Sequence, residues 1–164
     1  MDNKNNFSKD SSGYVEDIFD KRSLIMSMLM TPELSNFSGV VHGGHLMRIL
    51  DQVAYACGAR YCGIDVVTVY ADNISFKHPI AIGSLVTFLA RVNYTGKSSI
   101  EVGIKVISED LKNKTAVHTN SCYFTMVALD PYGIPLEVEK LIPRTKDEIR
   151  RYEDAKKRKE FRKK

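Results

Sequence analysis

The amino-acid sequence predicts an α+β fold in which a curved antiparallel sheet wraps around one central apolar helix. Three observations lead to this prediction. One segment of the 164 residues carries apolar side chains at helical spacing on most of its sides. Several segments rich in Val, Ile, Thr and Tyr follow it and are separated by short turns. Strands joined by tight turns are antiparallel, and such a sheet buries a helix by curling around it.

The chain begins with a leader and a short strand. Residues 1–22 mix acidic, basic and polar side chains and lack an apolar core, so we expect a disordered leader rather than a signal or transit peptide. Residues 23–30, SLIMSMLM, form an apolar run whose length favours a strand over a helix. A Thr-Pro pair ends this run, and residues 36–41 are expected to form a loop.

The central helix is the strongest local pattern. From Leu46 to Cys57, apolar residues recur at intervals of three and four, which is the spacing of one helix face. Other apolar residues occupy most of the remaining sides, so we expect the helix to be enclosed. Gly58 and Gly63 are expected to mark its end.

Four strand-like segments follow the helix, at residues 65–76, 85–94, 99–108 and 117–129. In the third of them, apolar residues alternate strictly with polar or small ones, which is typical of a half-buried strand. The predicted order is therefore a short strand, the helix and a meander of four long strands. These elements form a single domain over residues 23–143.

A basic helix is predicted for residues 144–164, which hold 11 Lys or Arg and 5 Asp or Glu. The rest of the chain has 13 basic and 15 acidic residues, so the net charge of +4 comes from this tail. Its opposite charges lie at pairing distance and few aromatic residues intervene, so we expect a solvated helix on the oligomer surface and no nucleic-acid partner. No apolar stretch approaches the roughly 20 residues of a membrane span.

Three cysteines, Cys57, Cys62 and Cys122, stand among apolar residues. An odd number of cysteines without a secretory signal favours reduced thiols and a cytoplasmic location. No second Cys or His pair lies at ligand spacing from Cys57 and Cys62, so no metal site is predicted.

Asp51 is the only acidic residue in the predicted central helix. One interpretation is a surface ion pair with Arg48, three residues earlier. The other is a functional carboxylate, because partial burial in apolar surroundings raises the pKa of a carboxyl group and makes it a stronger base.

The residues before Asp51 suggest a reaction site. Gly43-Gly44 stands at the predicted helix start, where backbone N–H groups lack internal partners and a substrate oxygen can approach them as in an oxyanion hole. Asn36 can donate and accept hydrogen bonds, and His42 is a possible supporting residue. A tight turn with a capping asparagine and structural histidines is the alternative. Together, an amide, an N–H cradle and a carboxylate indicate hydrolysis of an acyl compound.

The stretch NFSGVVHGGHLMRILDQVA, residues 36–54, resembles the signature of the hotdog-fold acyl-CoA thioesterases, in particular the cytosolic long-chain acyl-CoA hydrolase type. VTVYADNISF (67–76), YTGKSSIEV (94–102) and LIPRTKDEIRRY (141–152) resemble further segments of that family in the same order. The resemblance extends from residue 36 to about residue 160 and implies a hotdog fold, the same helix-in-sheet arrangement.

The resemblance implies that Asp51 is the catalytic carboxylate and that Asn36 is its partner from the facing subunit. It implies a homodimer with two equivalent sites, and a hexamer built as a trimer of dimers. The implied reaction hydrolyses the thioester of acyl-CoA to free fatty acid and CoA. The amides of Gly43 and Gly44 bind the thioester carbonyl, and Asp51 either activates a water as general base or attacks the carbonyl itself.

Coenzyme A is part of the substrate and product here, and no other cofactor is expected. The turn Gly96, Lys97, Ser98 and Ser99 offers an ammonium and hydroxyls for the phosphates of CoA, with a solvated hairpin turn as the alternative.

Two other functions compete with the thioesterase. A hotdog dehydratase of hydroxyacyl thioesters would combine His42 or His45 with Asp51. A non-enzymatic module would bind acyl-CoA without releasing CoA. The HGG-x6-D pattern together with Asn36 favours the thioesterase.

Overall fold

A computed structural model describes residues 20–72 and 74–162 of the chain, so most of the expected leader lies outside the described residues. Residues 20–22 already contact the domain, since the Val92 amide donates to the Arg22 carbonyl at 2.9 Å. The elements in chain order are β1 (Ser23–Leu29), α1 (Gly43–Cys62), β2 (Val66–Asp72), β3 (Leu85–Thr95), β4 (Ser99–Asp110), β5 (Thr115–Ala128) and α2 (Lys146–Phe161).

The five strands form one antiparallel sheet in the order β1-β3-β4-β5-β2. The sheet curls around α1, which confirms the predicted α+β class. The predicted four-strand meander is wrong for β2, which pairs with β5 at the far edge instead of with β3. Only β3, β4 and β5 follow one another through tight turns, because the longer segment between β2 and β3 carries the chain back across the sheet.

The core lies between α1 and the inner face of the sheet. The buried residues of α1 are Leu46, Ile49, Leu50, Val53, Ala54, Cys57, Gly58 and Tyr61. Gly58 does not end the helix as expected. It allows close packing, since a Cβ there would stand 2.8 Å from Ile100 Cδ1. The predicted end at Gly63 is confirmed: this residue caps α1 in the left-handed conformation, with φ of 69°.

The helix α1 is not enclosed on all sides as predicted: the sheet covers one face, and another face is exposed. Asp51, Gln52 and Tyr55 lie on an exposed stripe beside the edge strand β2. The apolar side chains of Val67 and Val69 on that strand are 43% and 56% exposed. An unpaired strand edge next to an apolar surface is a site where a further subunit can pack.

The basic tail forms α2, whose first turn is closed by a capping box between Thr145 and Glu148. This helix packs against the outer face of its own sheet, opposite α1, and buries Ala155 there. No helix of the described residues is long and apolar enough to cross a membrane.

The three cysteines form no disulfide. Burial raises the pKa of the Cys57 and Cys122 thiols to about 12 and that of Cys62 to about 11. All three are therefore protonated at neutral pH and unreactive as nucleophiles.

Candidate active site

A recess of about 460 Å³ opens between α1 and β2. Its lining residues are Asp51, Gln52, Tyr55, Val66, Val67, Thr68 and Met126. Asp51 is exposed in the single chain, so the expected desolvation of its carboxylate is not present in the protomer. The combination of apolar walls and one carboxylate suits a substrate with an apolar chain and a reactive polar group.

The Asp51 carboxylate is held by Thr68. The Thr68 hydroxyl on β2 donates to Asp51 Oδ1 on α1 at 2.6 Å. Among the described residues, Asp51 forms no ion pair with Arg48, so the surface-pair interpretation is not supported. A hydrogen bond to one oxygen restrains the rotation of the carboxylate, and Oδ2 accepts no hydrogen bond from another described residue.

Sequence reasoning gave Thr68 no role, although this residue stands in a segment that carries the family resemblance. The sequence indicates only that Thr68 lies in a strand that follows the apolar helix, which does not identify it as a site residue. A hydroxyl on the inner face of a strand, opposite a lone carboxylate on a helix, could have been paired with Asp51 only if the position of β2 beside α1 were known.

The amide of Gly43, at the start of α1, has no hydrogen-bond acceptor among the described residues. The Gly44 amide donates to His42 Nδ1 at 2.9 Å, so His42 acts as the N-cap of the helix. The ring of Phe76 lies over Gly43, 3.5 Å from the place a Cβ would take. Gly43 and Gly44 therefore stand at the start of α1, and in the protomer His42 accepts from the amide of the second; their role as an oxyanion cradle stays a prediction.

Asn36 lies in the loop before α1, and no hydrogen bond among the described residues joins it to Asp51 of the same chain. Its side-chain Oδ1 accepts from the amides of Ser38 and Val40 at 2.8 and 3.2 Å. These two bonds fix the orientation of the side chain and leave its NH₂ group as the available donor.

The predicted CoA-binding turn closes the hairpin between β3 and β4, with the Gly96 amide donating to the Ser99 carbonyl at 2.7 Å. Lys97 is exposed at its tip. The Ser98 carbonyl accepts from the Ala128 amide at 2.9 Å, and Ala128 pairs with Val66, a wall of the recess. The turn therefore lies one strand away from the Asp51 site.

A second ammonium group adjoins this turn. Lys159 of α2 lies against Gly96, its Nζ 2.5 Å from where a Cβ would be, and 4.9 Å from the centre of the Tyr94 ring. The sequence alone did not bring Lys159 near the turn, because the two are more than 60 positions apart. Together with Lys97 it places two ammonium groups beside the turn, and ammonium groups can bind phosphates.

Known proteins share the fold of this chain, and one of them has an asparagine, an aspartate and a threonine at the spacing found here. Residues 38–114 match the model of the thioesterase superfamily. The VdlD protein of Helicobacter pylori is 53% identical over 89% of this chain and 83% of its own length. The cytosolic acyl coenzyme A thioester hydrolase of Rattus norvegicus is 34% identical over 78% of this chain, which spans about a third of the rat protein.

Two solved structures are similar over most of the chain. The acyl-CoA hydrolase of Staphylococcus aureus, in complex with butyryl coenzyme A and coenzyme A, is 30% identical with a TM-score of 0.81 over 88% of both chains. A hexameric acyl-CoA thioesterase is 32% identical with a TM-score of 0.84, over 88% of this chain and 93% of its own.

Alanine variants of the Staphylococcus aureus hydrolase have been solved at an aspartate, a threonine and an asparagine. The intervals between those three positions equal the intervals between Asn36, Asp51 and Thr68 here, the second interval being 17 residues. The extent of these similarities, together with the sheet wrapped around α1, establishes that the chain belongs to the hotdog-fold acyl-CoA thioesterases of the thioesterase superfamily.

Proposed function

We propose that this protein hydrolyses the thioester bond of acyl-CoA to free fatty acid and CoA, with Asp51 as the catalytic carboxylate. The observation that carries the proposal is the 2.6 Å hydrogen bond from Thr68 to Asp51 at the mouth of the recess between α1 and β2. Family membership supplies the substrate class, and the matching intervals in the Staphylococcus aureus hydrolase support these residues.

The chemistry needs one carboxylate oxygen free and one fixed. With Oδ1 of Asp51 bonded to Thr68, Oδ2 can take a proton from water while the hydroxide adds to the thioester carbon. The tetrahedral intermediate then expels CoA thiolate, which recovers the proton. Alternatively, Oδ2 attacks the carbon directly and expels CoA thiolate, which leaves a mixed anhydride on Asp51. Water then cleaves the anhydride to free fatty acid and the Asp51 carboxylate, and its second proton goes to the thiolate. Both routes end in the same products.

The oxyanion of the intermediate needs a donor, which we assign to the Gly43 amide. Its position at the N-terminus of α1 adds the positive end of the helix dipole. A single such donor contributes about 3 kcal/mol to the transition state in other hydrolases. The Gly44 amide becomes a second donor when the His42 ring turns away from it, which gives His42 its supporting role.

The complete site forms between two subunits in this proposal. No described hydrogen bond joins Asn36 and Asp51 within a protomer. The exposed stripe of α1 with the edge strand β2 offers a surface for a second copy. The Asn36 NH₂ group of one subunit then binds the water or the thioester carbonyl beside Asp51 of the other. The hexameric neighbour supports assembly into a trimer of such dimers.

The competing functions receive less support from the contacts. No described contact links His42 or His45 to Asp51, as a dehydratase would need; the described hydrogen bond of Asp51 comes from Thr68. Two basic residues of α2, Arg158 and Arg162, contact its own sheet, which supports a structural role for them. That no cofactor is needed, and that the protein is cytoplasmic, stay predictions.

The test is an assay of CoA thiol release across acyl-CoA substrates of increasing chain length. We expect release that depends on chain length, because the apolar walls of the recess contact the chain. Saturable acyl-CoA binding without thiol release would instead favour the sensing module, and loss of water from hydroxyacyl-CoA would favour the dehydratase.

Replacing Thr68 by valine should lower kcat by about 10- to 100-fold, the worth of one hydrogen bond to a charged group. Valine keeps the shape of the side chain but cannot donate to Asp51. Thr68→Ser, which keeps the hydroxyl, should retain most of the wild-type kcat in the same thiol-release assay. Equal activity of the valine and serine variants would contradict a role for the hydrogen bond.

Replacing Lys97 by alanine should raise KM for acyl-CoA by about three- to tenfold at low ionic strength and leave kcat unchanged, because the turn contacts the CoA phosphates and not the thioester. The difference should shrink as salt is added. Lys112→Ala, at the exposed turn between β4 and β5, is the matched control and should leave KM unchanged. A Lys97 variant with wild-type KM would exclude this turn from the CoA site.

A further inference from the structure

The side chains of β2 change the face of the sheet to which they point in the middle of the strand. Its register against β5 shifts between Thr68, which pairs with Met126, and Tyr70, which pairs with Thr125. Neighbouring residues of a strand point to opposite faces, so the shift sends Thr68 and Tyr70 to opposite faces although they are two positions apart. Thr68 therefore faces inward to Asp51, and Tyr70 faces outward.

The outward half of β2 is held by Arg162 at the end of α2. The Arg162 guanidinium lies 5.0 Å from the centre of the Tyr70 ring, and its Nη1 lies 3.6 Å from Asp72 Oδ2. The Arg162 side chain is only 15% exposed. One residue thus contacts both outward-facing side chains that follow the register shift.

Arg162 is itself fixed by the buried ion pair beneath α2. Glu101 of β4 is 2% exposed and accepts from Arg158 through both carboxylate oxygens, at 2.6 and 3.2 Å. The Arg158 guanidinium also stacks 3.6 Å from the centre of the Tyr123 ring. Arg162 follows Arg158 by one helical turn and approaches the same Glu101 carboxylate at 4.0 Å.

We propose that Arg162 is a positioning residue for the reaction. By binding Tyr70 and Asp72 on the outer face, it holds the bulge of β2 in the register that aims the Thr68 hydroxyl at Asp51. The basic C-terminal helix thereby acts on the active-site strand through the thickness of the sheet. This inference rests on the proposed function of Asp51 and Thr68.

The first test compares two arginines of α2. Arg162→Ala should lower kcat by about tenfold with KM for acyl-CoA unchanged, the combined worth of one cation–π contact and one surface ion pair. Arg162→Lys should recover part of the loss, because an ammonium can still contact Tyr70 and Asp72. Arg150→Ala is the matched control, since Arg150 is exposed and its ion-pair partners among the described residues are Asp147 and Asp154 of its own helix. Wild-type kcat in Arg162→Ala would overturn the proposal.

A double variant separates positioning from general stabilisation. If Arg162 acts through the Thr68–Asp51 bond, Arg162→Ala added to Thr68→Val should lower kcat by no more than about twofold further. A second full tenfold loss in the double variant would show that the two residues act independently and would overturn the proposal.

Hydrogen exchange provides a readout that does not depend on activity. Arg162→Ala should speed exchange of the β2 amides around the register shift, and Arg150→Ala should not. If the wild-type protein released no CoA from any acyl-CoA, the proposed function would fail, but this exchange difference would still be expected. Unchanged β2 exchange in Arg162→Ala would refute the positioning role by itself.

Discussion

Replacing Asp51 by alanine is expected to lower kcat for acyl-CoA hydrolysis by about three orders of magnitude, within the range that removal of a general base or nucleophile produces. The loss should fall on kcat because the carboxylate acts on the reacting carbon or its water and not on the CoA moiety. Asp51 is exposed and forms one side-chain hydrogen bond within the described part of the chain, so folding and assembly should survive the change. Thiol release measures the rate, and light scattering measures the oligomer.

Two controls sharpen this result. Asp51→Asn keeps the size of the side chain and its bond from Thr68 but removes the charge, so it should be nearly as inactive as Asp51→Ala. Arg48→Ala changes the exposed residue one turn earlier on α1 and should leave kcat near wild type, since Arg48 does not hold the carboxylate. Wild-type-like hydrolysis by Asp51→Ala in an intact oligomer would refute the assignment of Asp51.

The features of the site that could be predicted from sequence depend on residue patterns within a single helix or strand. The helix start at Gly43 and the place of Asp51 on α1 follow from hydrophobic periodicity and from two glycines, all within one element. Strand segments followed from alternation in the same way, and their ends differ from prediction by a few residues. The resemblance to the thioesterases then supplied the chemistry.

The unpredicted part depends on contacts between elements. The strand β2 pairs with β5 at the edge of the sheet, and the residue alternation within β2 does not specify that partner. Without that position, neither the Thr68–Asp51 bond nor the contact of Arg162 with Tyr70 could be derived. The prediction that Gly58 ends the helix was wrong for the same reason. Gly58 lets Ile100 of the sheet approach α1, and this contact cannot be read from the residues near Gly58 in the sequence.

The arrangement of Asn36 and Asp51 on different subunits predicts that two inactive variants can rescue each other. When Asn36→Ala and Asp51→Ala subunits are refolded together in equal amounts, half of the dimers should contain one of each. Such a dimer has one site with both residues intact and one with neither. The mixture should therefore show about a quarter of wild-type activity, far above either variant alone.

Thr68 supplies the matched control for this rescue. Because Thr68 and Asp51 are bonded within one protomer, a mixture of Asp51→Ala and Thr68→Val subunits never assembles an intact site. Its thiol release should not exceed the share that the Thr68→Val subunits contribute alone. Rescue by Asn36→Ala without rescue by Thr68→Val would assign each residue to its subunit. If mass spectrometry detects mixed dimers but neither mixture regains activity, Asn36 acts in the same site as the Asp51 of its own chain.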